Sequence, residues 1–145
     1  MDTMGLEKRI STTNEAGLIA ILYEALIHNF TNGIRAIDEK DYEKLNKITN
    51  HSRDILAELL VQFSGDDEIS SNLREINFYI NKLITEGEYE KDSTLFKTSI
   101  EILTPICEGF QQLEIKEEPK TVTGLTYGKS QLEEHAIKGN RSFEG

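Results

Sequence analysis

Tryptophan is absent and cysteine occurs once, at Cys107. The chain therefore closes no disulfide within itself and offers no thiolate cluster to a metal. Basic residues are scarce, 16 against 26 acidic ones, for a net charge of −10. That balance argues against a nucleic-acid partner, whose phosphates are met by a basic footprint. No run approaches the ~20 apolar residues of a membrane-spanning helix. The opening residues MDTMGLEKRI also lack a signal-peptide core, so the expected location is the cytoplasm. Strand-like alternation and internal repeats are missing as well, and at 145 residues one domain with a substantial core is expected.

What the chain does have is apolar surface concentrated in one stretch, Gly17 to Ile37, GLIAILYEALIHNFTNGIRAI. At about 100° per residue, Leu18, Leu22, Ala25 and Ala36 share one stripe. Ile19, Tyr23, Leu26, Phe30, Ile34 and Ile37 share the next, and Ile27 and Ala20 widen it. Glu24, His28, Thr31, Asn32 and Arg35 occupy the remaining sector. The apolar arc spans roughly 220°, against the ~100° stripe of an ordinary surface helix. Such a helix is buried on two sides. Its second side is covered either by the chain's own segments or by another protein.

Around that helix the pattern is regular. Residues 1–11 read as an N-terminal arm. Thr12 and Glu15 have capping-box spacing, which predicts a helix running to about Glu39. Asp41 caps a second helix carrying Leu45, Ile48, Ser52, Ile55, Leu59 and Gln62. Ser64 to Asp67 break the pattern, and a third helix follows with Ile69, Leu73, Ile76, Ile80, Leu83 and Ile84, expected to end at Gly87. Asp92 or Ser93 opens a fourth, with Leu95, Phe96, Ile100, Leu103, Ile106, Phe110 and Leu113. Pro105 lies inside it and predicts a kink or a helix broken in two. The periodicity stops at Glu114, so residues 115–145 read as a flexible or surface-docked tail. Four helices of about 20 residues joined by short turns define an all-α, antiparallel up-and-down four-helix bundle over residues 12–114.

Catalytic and metal constellations do not emerge. The Glu-x-x-His spacing of di-iron bundles does not occur. Glu24 with His28, and His51 with Asp54, read as solvated pairs on helix faces. His135 stands in the tail, and Cys107 has no histidine in its helix and reads as an inert, partly buried thiol. Gly128, Lys129 and Ser130 share the ending of a phosphate loop without its glycine spacing or preceding strand. No enzyme activity and no cofactor are expected. The surplus apolar arc either completes the core or, with residues of helices 3 and 4, forms a groove for a partner's amphipathic helix.

The run Leu18 to Ala25 (LIAILYEA), preceded by Thr12 and Thr13 and followed by Ile34 to Ile37 and the turn Asp38 to Asp41, resembles the flagellar secretion chaperone family, FliS. A second helix ending in Glu58 and Leu59, after Asp54, fits the same pattern, as does Lys91 with Asp92 before the fourth helix. Where the family has Tyr-x-Tyr in helix 3, this chain has Asn77 and Tyr79, and Phe110 stands near the family's usual tryptophan. Pro105 and an N-terminal arm without tyrosine also depart from that pattern. The resemblance covers roughly Thr12 to Gln112. It implies a cytosolic chaperone that binds the C-terminal segment of flagellin, prevents premature polymerisation and holds the subunit for the components of the flagellar export gate, with no cofactor.

Under that resemblance the expected partner-binding residues are Ile19, Tyr23, Leu26, Ile27, Phe30 and Ile34 on helix 1, joined by Tyr79, Leu83 and Phe110. Leu22 is assigned to the core with Ile55, Leu59, Leu73 and Ile80. Phe30→Asp is then expected to keep helicity and weaken flagellin capture. Three rival readings stand beside it. One is a non-catalytic adaptor or homodimer sealed by the spare arc; the second is a bundle enzyme or metal carrier; the third places the tail, through Leu125, Tyr127 and Phe143, in the groove as an internal plug.

Overall fold

In the computed structural model, which describes residues 14–116, four helices follow one another: α1 Glu15–Asp38, α2 Tyr42–Gln62, α3 Glu68–Glu90 and α4 Ser93–Lys116. They pack as an all-α bundle. The chain forms two compact units, one of residues 22–106 and one that combines residues 1–21 with 107–145. The N-terminal arm, Thr12 and the tail beyond Lys116 lie outside the described residues.

In the unit of residues 1–21 and 107–145, α1 starts on Asn14, one residue before the Glu15 that the capping box placed at the third helical position. Asn14 Oδ1 accepts from Gly17 N at 2.8 Å, and its carbonyl accepts from Leu18 N at 3.0 Å. These bonds satisfy two of the donors that every helix start leaves unpaired. The same side chain donates through Nδ2 to Glu114 O at 3.1 Å, and Cys107 Sγ donates to Ala20 O at 3.7 Å. As α1 advances from Asn14 to Ala20, its partner on α4 retreats from Glu114 to Cys107, so the two helices run antiparallel. The cysteine is fully buried, more so than its sequence context suggested.

In the unit of residues 22–106, local capping sets the turns. Asp41 accepts from Lys44 N at 3.2 Å, and Asp67 accepts from Ser70 N at 3.0 Å. The Ser70 bonds hold the Asp67 carboxyl below its usual range. Asp92 Oδ1 accepts from Thr94 N at 3.0 Å and opens α4. Arg74 donates to the carbonyls of Phe63 and Gly65, tying the end of α2 to the second turn of α3.

Two expectations change here. α3 does not end at Gly87 but runs to Glu90 and turns at Lys91, which takes the left-handed conformation (φ 57°). Of the kink or break expected at Pro105, the break does not occur: α4 runs through it as one helix. The ring removes the donor to the Glu101 carbonyl; both residues are on the exposed side of the helix, and Thr104 Oγ1 donates to the neighbouring Ile100 O at 2.7 Å.

Side-chain contacts fix the relative directions of α1, α2 and α3 in this unit. Tyr23 stacks on Phe63 and Asn29 Nδ2 donates to Ser52 Oγ at 3.1 Å, so α1 and α2 are antiparallel. Asn46 and Thr49 meet Glu88 while Arg53 meets Thr85, so α2 and α3 are antiparallel too. Tyr23 on Asn77, with Gly33 and Gly87 both against Phe96, sets α1 parallel to α3. The interior holds Leu22, Leu45, Leu59, Ile80, Ile84 and Leu103 around four buried aromatics, Tyr23, Phe30, Phe63 and Phe96.

The α2–α3 seam carries a polar clasp. Glu88 accepts from Asn46 Nδ2 at 2.9 Å and from Thr49 Oγ1 at 2.8 Å, and pairs with Arg53 at 3.4 Å. Partial burial pushes the Glu88 carboxyl up; the two hydrogen bonds and the Arg53 charge more than offset this and leave it lowered. A carboxylate depressed in the folded state stabilises the fold above its ordinary value of 4.5, and that stability fades as pH falls through the lower folded value. Wild type is therefore expected to exceed Glu88→Gln in urea midpoint at neutral pH. The gap should close on acidification below about pH 4; a gap that stays constant with pH would show that the carboxylate charge is not what the clasp uses.

Candidate functional site

The apolar residues of α3 recur at Ile69, Leu73, Ile76, Ile80, Leu83 and Gly87, a three-four spacing that lines one edge of the helix. Their burial changes along its length. From Ile80 onward the edge is interior, with Ile80, Leu83, Ile84 and Gly87 all buried. Towards the N-terminus it opens: Ile76 and Leu73 are half-buried and Ile69 is 70% exposed. Tyr79, 49% exposed, lies beside Ile76 and extends the strip. Asp66, Asp67, Glu68 and Glu75 give this end an acidic rim. Stripes on the inward side of a bundle helix are normally covered, and this half of the stripe is not.

The residues expected to bind a partner separate under this geometry. Tyr23, Leu26, Phe30 and Leu83 are interior. Tyr23 OH donates to Asn77 Oδ1 at 3.1 Å, and the Phe30 and Phe96 rings sit 5.9 Å apart at a 56° tilt. The wide arc of α1 is covered on both sides, by α2 and α3 around Tyr23 and by α4 around Phe30. Ile27 and Ile34 stand half-buried at its edge, seven residues apart on the same side of α1. In the other unit Ile19 is buried and Phe110 half-buried, and Leu113 and Ile115 are exposed in the last turns of α4.

Three residues of this surface escaped the sequence reading. Leu73, assigned to the core, is only half-buried, and Ile69 and Ile76 were read as ordinary members of a buried stripe. Periodicity records that a side chain is apolar and on one edge; it does not record what stands opposite. Phe78 and Tyr89, 60% and 85% exposed, lie on the outer face of α3 and were likewise invisible to pattern alone.

Among the described residues no group of histidine, cysteine, aspartate and glutamate could hold a metal ion, and no helix is long and apolar enough to cross a membrane. His28 faces Asn32 at 3.2 Å, and His51 Nδ1 receives Asn29 Nδ2 at 2.9 Å, so both rings sit in surface or seam hydrogen bonds.

The described residues thus form a four-helix bundle with an open apolar half-stripe and an acidic rim on α3, a non-membrane-spanning helical-bundle protein. The sequence matches the family described as Flagellar protein FliS over residues 1–117, and the chain belongs to that family. No curated protein matches it. As a member it is a non-catalytic cytoplasmic chaperone that binds flagellin for export in flagellar assembly.

Proposed function

We propose that the flagellin segment held is the C-terminal one, and that it docks as an amphipathic helix on the open half-stripe of α3. Ile69, Leu73, Ile76 and Tyr79 are its main anchors. The half-buried Ile27 and Ile34 on α1 offer a second contact, while Phe110 is half-buried in the other unit. In this reading the buried Ile19, Tyr23, Leu26, Phe30 and Leu83 do not touch the client. Covering the segment withholds it from other flagellin subunits, which prevents premature polymerisation and keeps the subunit ready for the components of the export gate.

The observation that carries this reading is the change in burial along one continuous stripe, from interior at Ile80 to solvent at Ile69. A disordered client loses conformational entropy on ordering, and burying apolar surface on both partners offsets that loss. Ile76→Asp is expected to keep the fold, because the position is already half-exposed. It should weaken capture of flagellin by at least tenfold, about 1.4 kcal/mol, by calorimetry. Flagellin lacking its C-terminal segment should show no binding. Undiminished affinity for the truncated flagellin, or in the Ile76→Asp chain, would remove the client from this surface.

A further inference from the structure

Among the described residues, Asn77 Nδ2 is a buried side-chain donor without a partner. Asn77 itself is 1% exposed, and its Oδ1 is taken by Tyr23 OH at 3.1 Å. An enclosed polar group without a partner is a standing penalty, and an apolar residue of similar size would avoid it.

The position ties the orphan to the client surface. Asn77 follows Ile76 directly and lies one helical turn from Leu73, on the inner flank of the half-stripe where covering gives way to solvent. We propose that Asn77 is a specificity-determining residue of the client site, its free amide end pairing with a polar side chain that the docked segment places among its apolar anchors. This rests on the docking of the client along α3. A client with a hydrogen-bonding group at that position relieves the penalty on binding, and one with an aliphatic residue there does not. Selectivity then follows from the difference between the two, as in sites built to reject partners that leave a buried polar group unpaired.

The test uses the full chain, its Asn77→Leu variant, and synthetic peptides of the flagellin C-terminal segment in which each Asn, Gln, Ser and Thr is replaced in turn by an apolar residue. With wild type, one peptide position is expected to lose at least tenfold in affinity. With Asn77→Leu the unmodified peptide binds at least tenfold more weakly than to wild type, and the same peptide replacement has no further effect. A merely structural asparagine would not couple to a single client position. In wild type the Asn77 side-chain NH2 resonances should shift and exchange more slowly with solvent on saturation with peptide, a readout that stands even if Asn77→Leu fails to fold. Equal peptide affinity in wild type and Asn77→Leu, or unmoved NH2 resonances, overturns the inference. When Ile76→Asp weakens binding and Asn77→Leu does not, Asn77 alone is excluded; when neither does, the α3 site falls too.

Discussion

Phe96→Ala is expected to lower folding stability by about 3–5 kcal/mol, the range for deleting a well-packed phenylalanine. The ring is fully buried and held from two directions by residues that lack a side chain. A Cβ added at Gly33 on α1 would stand 2.6 Å from Phe96 Cδ2, and one added at Gly87 on α3 would stand 2.6 Å from Cε1. Those distances are well inside van der Waals contact, so the two glycines form the walls of a slot the width of an aromatic ring. Phe30, 5.9 Å away, stands beside it. A single side chain of α4 thus touches two helices through their backbones, and removing it opens a cavity that stiff helix backbones cannot close.

The slot makes a second part of this prediction more discriminating than the first. In wild type, Gly33→Ala or Gly87→Ala overpacks the ring and should destabilise by about 1–3 kcal/mol. Both glycines sit inside helices, where alanine is intrinsically better by up to ~1 kcal/mol. In the Phe96→Ala background the clash with the ring is gone, so Gly33→Ala should become neutral or stabilising and Gly87→Ala less costly, its added Cβ still meeting Asp92 O at 3.3 Å. Urea midpoints for the four corners of each cycle measure this directly. An unchanged cost between backgrounds would mean that the glycines are there for some other reason than the ring.

Gly87 also shows where sequence reasoning reaches its limit. Asp41, and Asp92 as one of two candidates with Ser93, were legible as helix starts because a cap is a local event, settled within three residues, whereas Asp67 was read only as part of the break before α3. The four helices and their order were legible for a similar reason: the apolar spacing within each is local. A glycine near the end of an apolar run carries the same local signal whether it stops the helix or makes room for a ring nine residues later, and only the packed structure tells these apart. The start of α1 is a smaller case. Thr12 with Glu15 and Asn14 with Gly17 are both acceptable caps on paper, and the Asn14 bond to Glu114, one hundred residues away, belongs with the choice of the second. The candidate site was the least legible of all. The width of the α1 arc correctly signalled burial on two sides, but its coverers are the sister helices, and the surface left open is on α3, whose stripe looks uniform in sequence from Ile69 to Ile84.

Phe30→Asp is expected to abolish the native fold rather than to spare it. Read from the sequence, Phe30 sits on a surplus face and its replacement by aspartate affects capture of flagellin alone. In the structure Phe30 is 1% exposed and packs on Phe96, so the substitution combines two penalties. Losing the ring removes about 3–5 kcal/mol, and placing an unpaired carboxylate in the interior adds several more. Together they match or exceed the roughly 5–15 kcal/mol that holds a typical domain folded. Far-UV circular dichroism and a urea titration should find the variant unfolded or melting without a cooperative transition, while Phe30→Leu, which keeps most of the volume, remains folded. Acid should partly rescue Phe30→Asp: burial raises the carboxyl's folded value above its unfolded one, so the folded state binds the proton first and stability returns as pH falls. A variant that melts like wild type and loses only its hold on flagellin would move Phe30 from the interior to the binding face, and with it the covered arc of α1.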